Sequence, residues 1–227
     1  MDFNITLWLE RLTGALRDAF GDRILYIGHN GSYARGEASE ASDIDVNTVL
    51  DTLEMEDLRK YRRIIKEMPS GEKACGFICG RKEIAAWPAH ELFQFLYGSK
   101  TLCGSPEGIV RMPSEEDIRD NIRNTSSMIY HEACHRYIYA ADIAAEAEAL
   151  QPAYKFAFFV LQEWFFLKEK KYIPTKKELL PLLEGENREI LDTLINWDMQ
   201  AEGRRKDTEK CFAALKNWSG AMLQEMA

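Results

Sequence analysis

Asp43 and Asp45 stand two residues apart in the stretch SDIDVNTVL, residues 42–50, whose alternation predicts a β-strand. Side chains at i and i+2 of a strand leave the same face with Cα atoms roughly 6.5 to 7 Å apart, so two carboxylates there can share one or two hard cations. Magnesium takes oxygen ligands, keeps several waters and is normally held by one or two carboxylates together with substrate phosphates. A phosphate cradle should therefore lie nearby. Gly31 and Ser32 directly follow an apolar run, RILYIG, and precede YARGE, which can open a helix. Backbone N–H groups and the Ser32 hydroxyl would then meet phosphate oxygens, with Gly31 leaving room for close approach. Arg35, one turn on, would supply positive charge, and Ser42 would fix the approach to Asp43. The competing bland reading is a polar turn before an edge strand that carries solvated aspartates.

A second constellation is His131-Glu132-Ala133-Cys134-His135, which fits H-E-x-x-H, the zinc protease pattern, with both histidines on one face of a predicted helix. Zinc would need a third protein ligand, and the spacing of Glu146, Glu148 and Glu163 singles none of them out. The bland alternative packs Tyr130, Cys134 and Tyr137 inward and leaves the histidines at the helix edge.

The elements that position these residues follow from periodicity. Ile5, Trp8, Leu9, Leu12, Leu16 and Phe20 predict an amphipathic helix over 4–20 that ends at Gly21. A strand at 23–28, the strand of the aspartates, a helix at 54–68, a Pro-Ser-Gly turn at 69–71 and a strand at ACGFICG make the first 110 residues mixed α/β. From Pro113 the pattern turns helical: Ser114 opens a helix to about 141, followed by helices at 152–172, 175–184, 187–202 and 207–225, with breaks at Pro174, Gly185 and near Gly203. The expected fold is α+β: a small mixed β-sheet with flanking helices in residues 1–112, then an all-α bundle in 113–227, with the active site in the cleft between them.

With a net charge of −8 and a pI near 5.2, the chain lacks the excess of Lys and Arg that a phosphate-backbone partner requires. No membrane partner is expected, because no apolar run approaches a membrane span, and the expected location is cytoplasmic. Five cysteines without a CxxC pair fit neither a disulfide framework nor a zinc ribbon.

Gly31-Ser32, Arg35-Gly36 and Ser42-Asp43-Ile44-Asp45 together resemble the signature of the DNA polymerase beta-like nucleotidyltransferase superfamily. The resemblance implies transfer of a nucleoside monophosphate from an NTP, with ATP the expected donor, to an acceptor hydroxyl, with Mg²⁺ or Mn²⁺ held by Asp43 and Asp45. It also implies a third carboxylate from a later strand. ACGFICG contains no acid, so Glu83 just beyond it is the first candidate, ahead of Glu72 and Glu91. The helical half, with its aromatic stretch PAYKFAFFVLQEWFF, is similar to the C-terminal domain of small-molecule nucleotidyltransferases that inactivate aminoglycosides and lincosamides. On that likeness Lys155 would reach the triphosphate, and a small, cationic acceptor suits the acidic chain. The alternatives are a minimal nucleotidyltransferase that modifies a protein partner, and a nucleotide-binding module without transfer. A homodimer is left open.

Overall fold

The computed structural model describes residues 3–227 and divides into two compact units, Met1–Met112 and Pro113–Ala227. The first begins with α1, Ile5–Phe20, whose N-cap Asn4 accepts a hydrogen bond from the Leu7 amide at 3.0 Å. This satisfies one of the amides that a helix start leaves without a partner. Its apolar positions bury Trp8, Leu9, Leu12, Leu16 and Phe20, and Gly21 ends it at φ 55°. Then follow β1, Ile24–Asn30; the short α2, Gly31–Arg35; β2, Ile44–Leu50; and α3, Met55–Glu67. Two short strands, β3 at Ala74–Cys75 and β4 at Ile78–Gly80, lead to α4, Arg81–Ala85, α5, Leu92–Tyr97, and β5, Lys100–Gly104.

The sheet runs β3-β2-β1-β5, with β4 also pairing with β2; β1 is antiparallel to β2 and β5, while β3 and β4 are parallel to β2. Mixed pairing of this kind lets β2 lie centrally. One face of the sheet, with Ile27, Ile44, Val46 and Leu50, packs on Leu12 and Leu16 of α1 and on Ile64 and Ile65 of α3. On the other, Tyr26 and Val49 pack with Ile84, Leu92 and Phe95. The expected strand at ACGFICG is split at Gly76, which takes φ 100° and whose missing Cβ would stand 2.3 Å from the Val46 carbonyl oxygen. Only glycine lets the backbones approach that closely.

The far end of β2 is tied electrostatically. Arg23 donates to Asp57 at 2.7 Å, to Asp51 at 3.0 Å and to the Thr52 carbonyl at 3.0 Å, while Asp57 also caps α3 by accepting from the Glu54 amide. These contacts lower the Asp57 pKa to about 2, the Arg23 hydrogen bond being the largest cause. The near end of β2 is preceded by a turn in which the Ser39 amide donates to the Ser42 hydroxyl at 2.9 Å.

The second unit is helical throughout its regular structure: α6, Glu115–Tyr139; α7, Ile143–Glu148; α8, Gln151–Glu169; α9, Lys176–Leu179; α10, Gly185–Ile195; α11, Ala201–Lys206; and α12, Thr208–Glu225. Ser114 and Asp117 form a reciprocal capping box at the start of α6. Helix α7 is not foreshadowed by apolar periodicity; Asp142 starts it by accepting from the Ala144 and Ala145 amides. The expected break near Gly203 falls elsewhere: Gly203 lies within α11, and α10 ends at Ile195. In the core of this unit Glu163 accepts from the Asn121 amide group through both carboxylate oxygens at 2.8 Å. Arg204 is buried too, donating to Glu148 at 2.8 Å and lying 3.9 Å over the Trp197 ring. Among the described residues no helix is long and apolar enough to cross a membrane.

Candidate active site

The antiparallel register of β1 and β2 places Asn30 opposite Asp45, so the residue that enters α2 sits beside the second aspartate. Gly31 follows at φ 73°, a left-handed conformation in which a side chain is strained. A Cβ on Gly31 would stand 1.8 Å from Asp45 Oδ2. The Asp45 carboxylate thus occupies the space that any other residue at position 31 would need, and Gly31, Asp43 and Asp45 come together as their spacing predicts.

Asp43 is exposed and Asp45 half-buried. Burial is the first cause that raises the Asp45 pKa above the ordinary carboxylate value, and the adjacent charge of Asp43 is the second. A hydrogen bond from the Cys75 thiol and the field of Arg35 act in the opposite direction. A half-buried carboxylate whose ionisation is opposed by a neighbouring charge, as that of Asp45 is, gains from a nearby cation. Among the described residues no group of three or more His, Cys, Asp and Glu side chains gathers as a metal site. Two carboxylates on one strand face are the donor set that a hard cation completed by waters and phosphate oxygens would need.

Ser32 is half-buried at the second position of α2, and its carbonyl accepts from the Glu37 amide at 2.9 Å. Arg35, also largely buried, pairs with Glu37 at 3.2 Å while its charge acts on Asp45. Because α2 is only five residues long, it offers amide donors but little accumulated dipole. Ser42 takes part in the turn before β2, as its hydroxyl accepts from the Ser39 amide.

The structure does not bring Glu83 together with the pair. Gly80 is in register with Leu50, five residues along β2 from Asp45, which is about 16 Å of strand. Glu83 lies against Gly80, where a Cβ would meet its Oε2 at 2.3 Å, and its charge adds to the burial that pushes the Cys79 thiol up to about 11. The residue in register with Asp45 on β3 is Cys75, and both Glu72 and Glu91 are exposed. Lys155 is exposed on α8 in the second unit.

Residues beyond the signature complete the site's support. Asn47, next after Asp45 on the same face, donates to Asn30 Oδ1 at 3.0 Å, and the Ser99 hydroxyl donates to the same oxygen at 2.8 Å. The strand alternation could have flagged Asn47 as a polar residue pointing with Asp43 and Asp45. Ser99, which immediately precedes β5, carries no such signal, since β5 is not legible as a strand.

The histidine motif stays local. His131 and His135 are exposed on α6, their ring centroids 5.6 Å apart, and Glu132 is engaged by Arg136. The inward residues of α6 are Ile118, Ile122, Ser126, Ile129 and Ala133, while Tyr130 and Tyr137 are each 38% exposed. The tyrosines flank that stripe, Tyr137 packing on Phe212 of α12 with centroids 5.4 Å apart, and so bear out the inward reading only in part.

Residues 9–73 match the family model of a nucleotidyltransferase domain, a span that holds Gly31, Ser32, Arg35, Ser42, Asp43 and Asp45. None of the curated proteins compared with the chain matches it. Among solved structures, the chain is similar to the spectinomycin adenyltransferase AAD(9) from Enterococcus faecialis, crystallised with ATP and spectinomycin. The identity is 15%, the likeness covers 97% of this chain and 100% of that one, and the TM-score is 0.54. At such identity the likeness speaks for the fold, and the small mixed sheet with flanking helices followed by helices is the fold expected of the sequence. Residues 9–73 lie within the N-terminal unit and match a nucleotidyltransferase domain, so the chain is related to enzymes of nucleotidyl transfer.

Proposed function

We propose that the protein transfers a nucleoside monophosphate from an NTP, with ATP as the donor, to a hydroxyl of a small cationic molecule of the aminoglycoside kind. The observation that carries this reading is the seating of Asp45 in the vacant Cβ space of Gly31, which joins the turn after β1 to the acidic face of β2. In the reaction the acceptor oxygen forms a bond to the α-phosphorus, the bond from that phosphorus to the β-phosphate oxygen breaks, and pyrophosphate leaves as the hydroxyl loses its proton. Asp43 and Asp45 would hold Mg²⁺ or Mn²⁺, which when bound supplies positive charge against the donor phosphates. The residues of this chain orient: Gly31 and Ser32 admit the phosphates close to the backbone, Arg35 balances negative charge at Asp45, and Asn30 and Asn47 brace the strand ends. A hydroxyl acceptor with amino groups suits a chain of net charge −8. The fold of the spectinomycin adenyltransferase supports an acceptor of that class.

One observation favours a second reading, a nucleotide-binding module without transfer: Cys75, and no acid, stands in register with Asp45. A single experiment separates the two. Pyrophosphate release is followed with ATP, Mg²⁺ and a panel of aminoglycosides that includes spectinomycin, beside calorimetry with a non-hydrolysable ATP analogue. Release that disappears in an Asp43→Asn/Asp45→Asn double variant supports transfer. Binding without release on any acceptor, with no nucleotide mass added to lysate proteins, supports the second reading. Absence of Mg²⁺-dependent nucleotide binding would sink both.

A further inference from the structure

His131 and His135 are four residues apart on an unbroken helix, so their side chains emerge on one face and one turn apart. Both are exposed, which leaves the ring nitrogens within reach of a dissolved ion. The His135 ring also packs against Tyr139, centroids 4.8 Å apart, which restricts one of the two imidazoles before any ligand arrives. With metal–nitrogen bonds of about 2.0 to 2.1 Å, each ring centroid stands about 3.2 Å from the ion, and the observed separation of 5.6 Å then corresponds to an N–metal–N angle of about 120°. The separation thus lies within the span that two imidazoles on one ion can have.

We propose that His131 and His135 form a two-imidazole clamp for a divalent transition-metal ion of the Cu²⁺, Ni²⁺ or Zn²⁺ class. The chemistry differs from that of the carboxylate pair: imidazole prefers these borderline ions, whereas Mg²⁺ prefers oxygen. Glu132 is held by Arg136, which itself also binds Glu146, so the carboxylate that would act as a base in a zinc protease is committed elsewhere. No third side chain of the ligating types joins the two histidines among the described residues, so solvent would supply the remaining ligands. The site is a surface clamp for metal and carries no peptide-cleaving machinery. This inference stands independently of the nucleotidyl-transfer reading.

The test is a titration of the full chain with Cu²⁺ alone as the probe, Mg²⁺ being present in excess to occupy the carboxylate pair, read by calorimetry and by electron paramagnetic resonance. The expected result is one ion per chain with two equatorial nitrogens. Affinity falls by about tenfold or more in either His131→Ala or His135→Ala, and His90→Ala leaves it in place. Because both histidines are exposed, these variants retain the fold. A rescue variant sharpens the test: Met128→His in the His135→Ala background creates a pair three residues apart on the same helix and should restore two-nitrogen binding. Met128 is 65% exposed and free to accept the change. Unchanged affinity in the single variants, or a one-nitrogen spectrum in the parent chain, would overturn the proposal.

Discussion

The aspartate pair on β2 and the histidine pair on α6 look alike as strings, two candidate metal ligands at the spacing of their element, and the fold treats them in opposite ways. Around Asp45 two other stretches of chain converge: α2 brings Gly31 within the carboxylate's own volume and adds the field of Arg35, and β3 brings the Cys75 thiol. Around His131 and His135 the ring contacts come from the same helix, and the glutamate of the motif pairs with Arg136 one turn away. A motif built by convergence over long sequence distance can hold a substrate as well as an ion. One written along a single exposed helix has two ligands and open solvent.

The most severe way to break the comparison is Asp45→Asn. If the pair is the centre of transfer, losing one carboxylate removes several kcal/mol of charge stabilisation, a fall on the order of a thousandfold in kcat/KM for the nucleotide. Activity within tenfold of the parent would show that the converging site is not where the chemistry occurs. Gly31→Ala comes next. Left-handed backbone costs a non-glycine residue about 1–2 kcal/mol, and the new Cβ would have to displace the Asp45 carboxylate. The expected outcome is a modest drop in the unfolding midpoint in urea together with a larger loss of Mg²⁺-dependent nucleotide affinity. A loss of stability alone would mean that the carboxylate can move aside without consequence.

A third histidine gives a smaller and subtler test. His29 is buried on β1, its pKa lowered to about 4 by burial first and by the charge of Lys100 second. The unfolded chain takes up this proton near pH 6.5 and the folded chain only near pH 4, so the stabilising effect is complete above 6.5 and is lost as pH falls through that window. After discounting for solvent screening, the loss amounts to no more than about 2 kcal/mol. Urea unfolding at a series of pH values should show this slope in the parent and a flatter one in His29→Gln; equal slopes would assign the acid sensitivity to other groups. Smallest of all, His131→Ala/His135→Ala in metal-free buffer should shift stability by within about 0.5 kcal/mol, because the rings are exposed. A larger shift would show that the helical motif does more for the fold than its surroundings suggest.

What could be read from the sequence follows the physical range of each signal. Helix α1 and strand β2 were legible because their apolar positions repeat at the period of the element, and Gly31, Asp43 and Asp45 because their chemistry is rare at that spacing. Position along a strand was not legible. Glu83 is close in sequence to the strand expected to supply the third acid, yet parallel pairing sets Gly80 beside Leu50 and carries Glu83 to the wrong end of β2. The same register makes Cys75 the neighbour of Asp45, which no local pattern encodes. Likewise β5 and α7 are short segments stabilised by what they pair with or by one cap, so periodicity passes over them. In α6 the inward stripe is made of isoleucine, serine and alanine, and Tyr130 and Tyr137 flank it, partly packed against α12 and partly exposed.

The two ends of β2 are fastened by different means, and this sets a gradient of motion along a single strand. Beyond Leu50, Arg23 locks Asp51, Thr52 and Asp57 together, and these contacts must all release before that end can open. Before Ile44, the turn rests on contacts between Ser39 and Ser42 and on the Lys73 ammonium bound to the Glu40 carbonyl. Amide protons at 48–50 should therefore exchange with deuterium only through large-scale opening, while those at 37–42 exchange through local excursions. The strand is thus locked at its far end by ion pairs and at Asp45 by pairing with β1 and β3, while the turn that leads into Asp43 is held by fewer contacts and has the greater freedom.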